Sequence, residues 1–245
     1  MNFLKPLFFI WRSWLWFSVL SGLLLFSPLG VIFISFNRTY HLFHLFCRWW
    51  CRIVLLLNGF WYKLKLMEPI NKSSAYIICP NHTSKFDIIL LFAIFPKTFV
   101  FVGKKGVTSF SFFEWFYNKT MITFDRSSTS SSFKAYRKAD KLLKSGTSIV
   151  IFPEGKVPAK NIRLGDFKLG AFKLAIHNQV SIIPITFVDN KKKYPEDELK
   201  LQLGLLRVNI HSPVTTKGMK IHDANRLSKK VFNTINNTLC DYENK

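Results

Sequence analysis

Residues 75–87 read AYIICPNHTSKFD, and the block that follows, residues 86–95, reads FDIILLFAIF. Residues 75–80 form a short apolar run closed by Pro80, the length of a buried strand. Asn81, His82, Thr83, Ser84 and Lys85 are polar turn vocabulary. The apolar block after them is long enough for a helix. Strand, polar turn, helix is one βα unit, and such turns lie where α/β sheets bind ligands.

The same alternation continues outward. Strands are expected over residues 98–103, 121–124, 147–152, 181–188 and 205–211, and helices over 86–95, 110–117, 131–144, 170–177 and from Ala224 onward. A serine-rich stretch, 127–132, leads into one of these helices with a cap expected at Ser130 or Ser131, and Gly146 closes it. Residues 191–200, KKKYPEDELK, read as a solvated connection. Strands alternating with helices predict an α/β fold: a mostly parallel mixed sheet flanked by helices.

The amino-terminal part has another character. No residue from 13 to 37 is charged, and Arg12 and Arg38 bracket the stretch. Its length suits a bilayer-spanning helix, and Trp11, Trp14 and Trp16 suit an interfacial belt. Pro28 and Gly30 interrupt it, which fits a kinked or re-entrant helical hairpin equally well. Residues 41–61 continue as an aromatic-rich helix whose polar stripe is His44, Arg48 and Arg52. Two domains are therefore expected: membrane-anchoring helices over 1–62 and an α/β domain over 63–245.

Composition narrows the class. The chain has 245 residues, 49% hydrophobic with 26 Phe, so disorder is excluded. Lys and Arg number 35 against 14 Asp and Glu, a formal charge of +21 that calls for an anionic partner or surface. No reading helix or stacking platform accompanies it, so nucleic acid is not the expected partner and an anionic membrane face is. The four cysteines, Cys47, Cys51, Cys79 and Cys240, match no zinc or redox spacing, and no metal is expected.

Three polar clusters fall just after predicted strands. His82 and Asp87 follow the first; a carboxylate that holds one ring nitrogen leaves the other to take a proton from a hydroxyl. A surface histidine beside a helix-capping aspartate fits the same residues. Asp125 and Arg126 follow the strand 121–124, and arginine suits a phosphate or an ion pair. Phe152-Pro153-Glu154-Gly155 follows the strand 147–151 and can bind a hydroxyl or shape an anion-binding turn. Lys104 ends another strand, and Lys156, Lys160, Arg163 and Lys168 follow Glu154. Pro184 lies inside an apolar strand, which marks an edge or break in the sheet.

In this order the clusters resemble the glycerolipid acyltransferases, and within them the 1-acylglycerol-3-phosphate acyltransferases, over roughly residues 60–215. The matching blocks are Asn81, His82 and Asp87; Lys104 and then Met121 to Arg126; Phe152 to Gly155, continued by Lys156-Val157 where the family has Thr-Arg; and the strand holding Pro184. The resemblance implies transfer of a fatty acyl group from a thioester to the free hydroxyl of lysophosphatidate, giving phosphatidate. It makes His82 the base and Asp87 its orienter. Arg126, Glu154, Gly155, Lys104 and Lys156 would hold the acceptor's phosphate and glycerol, and Asn81 and Pro184 would support the site. No bound cofactor is implied. Acyl-CoA or acyl-acyl carrier protein would be the co-substrate, membrane lipids the partners, and the cytoplasmic face of the cell membrane, a bacterial inner membrane, the location. Another lysophospholipid or a lyso-aminolipid is the alternative acceptor, and a non-catalytic lipid-binding protein the alternative class.

Overall fold

The computed structural model describes residues 4–25, 27–36, 38–104, 117, 120–125, 127–195 and 202–243. The helix expected over 110–117 lies outside them apart from Tyr117, and so do residues 196–200 of the expected connection. The chain forms two compact units, one of residues 1–65, 83–96 and 187–208, the other of residues 66–82, 97–186 and 209–245.

The second unit carries the strands that the apolar runs predict: β2 (Ile77–Pro80), β3 (Phe99–Lys104), β4 (Met121–Phe124), β5 (Ser148–Val150) and β6 (Ile182–Phe187). Their order is β6-β2-β5-β3-β4. Each neighbouring pair is parallel, with Ile77 opposite Ile149 and Ile182, and Phe101 opposite Val150 and Met121. An antiparallel bridge between Ile182 and Val214 makes the sheet mixed. The strands read as continuous apolar runs because parallel strands are covered on both faces. Ile77, Ile78, Cys79, Ile149, Val150, Ile182, Ile183 and Ile185 are all fully buried.

Helices α5 (Thr129–Lys144), α6 (Gly170–Asn178) and α8 (Ala224–Glu243) flank this sheet. The cap of α5 sits two or three residues earlier than expected: the Ser128 hydroxyl accepts from the Ser131 amide. Pro184 does not mark an edge. It pairs with Cys79 in β2, and its carbonyl accepts from the His211 amide on the other side. The strand tolerates it because the lost donor faces the irregular segment after Ile210, not β2.

The first unit holds α1 (Leu4–Leu25), α2 (Ser27–Ser35), α3 (Tyr40–Leu57), α4 (Phe86–Ile94) and the short turn α7 (Asn190–Lys193), with β1 (Phe60–Leu66) alongside the start of β7 (Gly204–Ile210). Within the uncharged stretch, residues 13–25 are helical in α1 and residues 27–35 in α2, and Phe26 between them lies outside the described residues. Gly30 interrupts nothing. Among the described residues no helix is long and apolar enough to cross a membrane. Trp11 packs on Phe60 and Tyr194, and Phe86 stacks on Tyr194, so aromatic rings hold α1 against the start of α4.

The polar stripe of α3 faces inward. His44 is buried against Phe92 of α4, and Arg52 donates from Nε to the Ala93 carbonyl at the end of α4, 2.9 Å away. Burial, with the nearby Arg48 charge, depresses the His44 pKa to about 3. The apolar Leu45, Trp49, Ile53 and Leu56 are left exposed, spaced so as to form one stripe along the helix. α3 ends at Leu57, short of the expected Trp61, because Asn58 and Gly59 turn the chain into β1.

Candidate active site

The parallel register of β2, β3, β4 and β5 puts their carboxyl ends on one edge of the sheet. The segments that leave that edge within the second unit carry Asn81 and His82, Lys104, Asp125, and Phe152 to Gly155. Here the strand pattern turns residues remote in sequence into neighbours.

His82 leaves β2 half-buried, its ring stacked on Phe152 with centroids 4.0 Å apart. Phe152 in turn stacks on Phe101 of β3 at 6.2 Å. Asn81, just before, is buried, and its amide donates to the Ile185 carbonyl, so the turn starts from a fixed strand end. The main chain of His82 is fixed as well: its amide donates to Glu154 Oε1 at 2.6 Å.

Glu154 is only 5% exposed, and its other oxygen, Oε2, accepts from the Gly165 amide at 2.6 Å. A charged acceptor that bonds two half-buried amides contributes about 1.5–3 kcal/mol per bond. The resemblance assigns Glu154 to the substrate; in the structure its two oxygens tie together two loops of the protein. A Cβ on Gly165 would stand 3.0 Å from Glu154 Oε2, so any larger residue there would push the carboxylate by a few tenths of an ångström. Gly155 has φ +72°, the left-handed region that glycine adopts freely, and it lets the chain turn after Glu154. A Cβ on it would touch the Lys168 side chain at 3.3 Å, and the Lys168 amide donates to the Pro153 carbonyl at 2.8 Å. The turn and Lys168 thus lie against one another.

Asp87 belongs to the first unit, in the first turn of α4, and is fully buried. Its Oδ2 accepts from the amides of Thr83 and Ser84 at 2.6 and 2.9 Å. Its Oδ1 accepts from the Thr83 hydroxyl at 2.5 Å and from Asn190 Nδ2 at 2.8 Å. The carboxylate organises the whole turn that precedes α4.

Of the remaining expected residues, Lys156 is exposed on the Glu154 turn. Lys104 has its main chain in β3, in register with Phe124. Arg126 lies outside the described residues. The sequence reading missed Asn190 and Gly165. Gly165 carries the faint signal of a glycine inside a charged loop; Asn190, 103 positions from Asp87, carries none.

The chain is 30% identical over 192 residues to a chloroplastic 1-acyl-sn-glycerol-3-phosphate acyltransferase of Arabidopsis thaliana, a match covering 76% of this chain and 52% of that protein. It is 25% identical over 223 residues to a probable 1-acyl-sn-glycerol-3-phosphate acyltransferase of Mycoplasma pneumoniae, covering 85% and 79%. The chain spans about half the length of the plant relatives it matches. The crystal structure of the 1-acyl-sn-glycerophosphate acyltransferase of Thermotoga maritima shares the fold, with a TM-score of 0.78 over 98% of both chains at 18% identity. The acyltransferase family profile matches residues 62–188, more than half of the sequence and the span that runs from β1 through the carboxyl end of β6, and on that match the chain belongs to the acyltransferase family.

Proposed function

We propose that the protein transfers a fatty acyl group from an acyl thioester, on coenzyme A or acyl carrier protein, to the free hydroxyl of 1-acylglycerol-3-phosphate, giving phosphatidate. The observation that carries the reading is His82. Its ring stands half-buried on Phe152 while its amide is clamped by Glu154, at the edge where a parallel sheet binds ligands. The plant and mycoplasma relatives bear the name of this activity.

In the proposed reaction His82 takes the proton from the acceptor hydroxyl. The hydroxyl oxygen attacks the thioester carbonyl. The tetrahedral intermediate collapses, the C–S bond breaks, and the leaving thiolate takes the proton back from the imidazolium. Asp87 orients the ring and supports its charged form. The substrate's own hydroxyl is the nucleophile, so no acyl-enzyme forms. Backbone amides of the Asn81 or Gly155 turns receive the developing oxyanion. By the same resemblance Lys104, Arg126, Gly155 and Lys156 would hold the acceptor's phosphate and glycerol. Pro184 and Asn81 support the floor beneath.

The lipid acceptor implies work at a bilayer. The exposed stripe of Leu45, Trp49, Ile53 and Leu56, with exposed Trp14 and Trp16 on α1, supports interfacial docking of the amino-terminal helices. The net charge of +21 favours an anionic cytoplasmic leaflet and an acidic thioester carrier alike.

The test is acyl transfer by the native chain to a panel of lyso-acceptors from both thioester carriers, beside His82→Ala. Phosphatidate is the expected product, and the variant should lose ~10²–10⁴-fold in kcat with folding intact. Turnover only with another lysophospholipid or a lyso-aminolipid would move the acceptor, as the Lys156-Val157 departure suggests; unchanged kcat in the variant would remove the base.

A further inference from the structure

We infer that Asn190 is a positioning residue of this reaction, holding the Asp87 carboxylate in place from the far end of β6. The inference rests on the proposed acyl transfer for its role and on geometry for its substance.

Asn190 is fully buried, and its Nδ2 donates to Asp87 Oδ1 at 2.8 Å. Three other donors to that carboxylate come from Thr83 and Ser84, local residues that move with it. Asn190 alone among these four donors comes from another part of the chain. It can therefore fix where the turn stands as well as how it folds. Its own position is fixed in turn. Asp189 accepts from the Arg207 amide at 2.7 Å and from the Arg207 guanidinium at 2.6 and 2.9 Å. The Tyr194 amide closes the α7 turn on the Asn190 carbonyl at 2.8 Å, and the Tyr194 ring stacks on Phe86, the neighbour of Asp87.

The chemistry of the side chain supports the role. The hydrogen in the bond to Asp87 Oδ1 comes from the Asn190 amide nitrogen, because a carboxylate only accepts. Asn190 Oδ1 is buried with no partner. A residue kept for packing would be apolar and would avoid that unsatisfied atom. A neutral donor suits the place: it fixes the carboxylate without cancelling the negative charge that an imidazolium needs.

Asn190→Ala should lower kcat by ~10–100-fold, the weight of one hydrogen bond to a charged group, with KM for lysophosphatidate and thioester within about twofold of native. The Thr83 and Ser84 amides should exchange with solvent faster in this variant, with the strands of the other unit unchanged. Asn190→Asp keeps the shape and sets one carboxylate against another. Such a pair shares a proton, so its kcat should recover as the pH is lowered, opposite to a reaction that needs a neutral histidine.

Native kcat in both variants would overturn the inference and leave acyl transfer standing. Should the native chain acylate no acceptor, the functional reading fails and amide exchange alone decides. Faster exchange confined to Thr83 and Ser84 upholds the role of Asn190 in holding the turn, and unchanged exchange overturns it.

Discussion

At the scale of single residues, Glu154 separates two accounts of one motif. As a substrate ligand it would face the acceptor's glycerol. As a brace it joins the His82 amide to the Gly165 amide, one on each oxygen. The brace account predicts what Glu154→Gln does. The glutamine carbonyl satisfies one amide, and its NH2 group faces the other N–H. One charge-assisted bond is lost and a donor is left buried, about 2–4 kcal/mol in all. The His82 turn loosens, so kcat should drop by at least tenfold with KM for lysophosphatidate unmoved. A substrate ligand would give the reverse, a raised KM at similar kcat, and steady-state kinetics with varied acceptor distinguishes the two.

At the scale of elements, the α3–α4 packing ties stability to acidity through His44. Its pKa, ordinarily near 6.5, is depressed to about 3 in the folded chain because burial disfavours the cation. Between those values the unfolded chain binds a proton that the native one refuses. The stabilising contribution is thus complete above about pH 6.5 and is lost progressively as the pH falls towards about 3. His44→Gln removes the titration, so its melting temperature should fall less steeply over that window than the native one. Parallel thermal melts across pH check this; equal slopes would mean that His44 does not govern the acid response.

The same helix shows where sequence stops informing. Its polar stripe of His44, Arg48 and Arg52 was legible, but periodicity does not say which side faces in. α3 buries His44 among the apolar Phe43, Val54 and Leu55, and Arg52 reaches inward too, because α4 offers a carbonyl and an aromatic ring to receive them. The strands β2 to β6 were legible since burial on both faces leaves an unbroken apolar run. β1 was not: beyond Phe60 it is mostly exposed, and WYKLKL carries no such run. His82 and Glu154 sit beside strand ends that the pattern locates, and Asp87 opens the helix that the apolar block predicts. Asn190 and Gly165 act through partners brought near only by folding; Gly165 leaves a faint local signal and Asn190 none.

At the scale of the whole molecule, two forces would bring the protein to a bilayer, and they respond differently to salt. The charge of +21 attracts an anionic leaflet over a Debye length of about 10 Å, by ~1 kcal/mol per basic residue near the surface. The stripe on α3 acts only in contact: Leu45, Trp49, Ile53 and Leu56 are 47%, 57%, 43% and 69% exposed. Covering one such side chain contributes about 1.5–3 kcal/mol, which salt does not screen. Co-sedimentation with vesicles should therefore be strongest on anionic lipid, and should weaken with added salt to a plateau above zero. Trp49→Ser with Leu56→Ser should lower that plateau ~10²-fold or more in affinity while leaving the salt-dependent part in place. Complete release of the native protein by salt would mean that the stripe does not enter lipid, and that charge alone carries the chain to its acceptor.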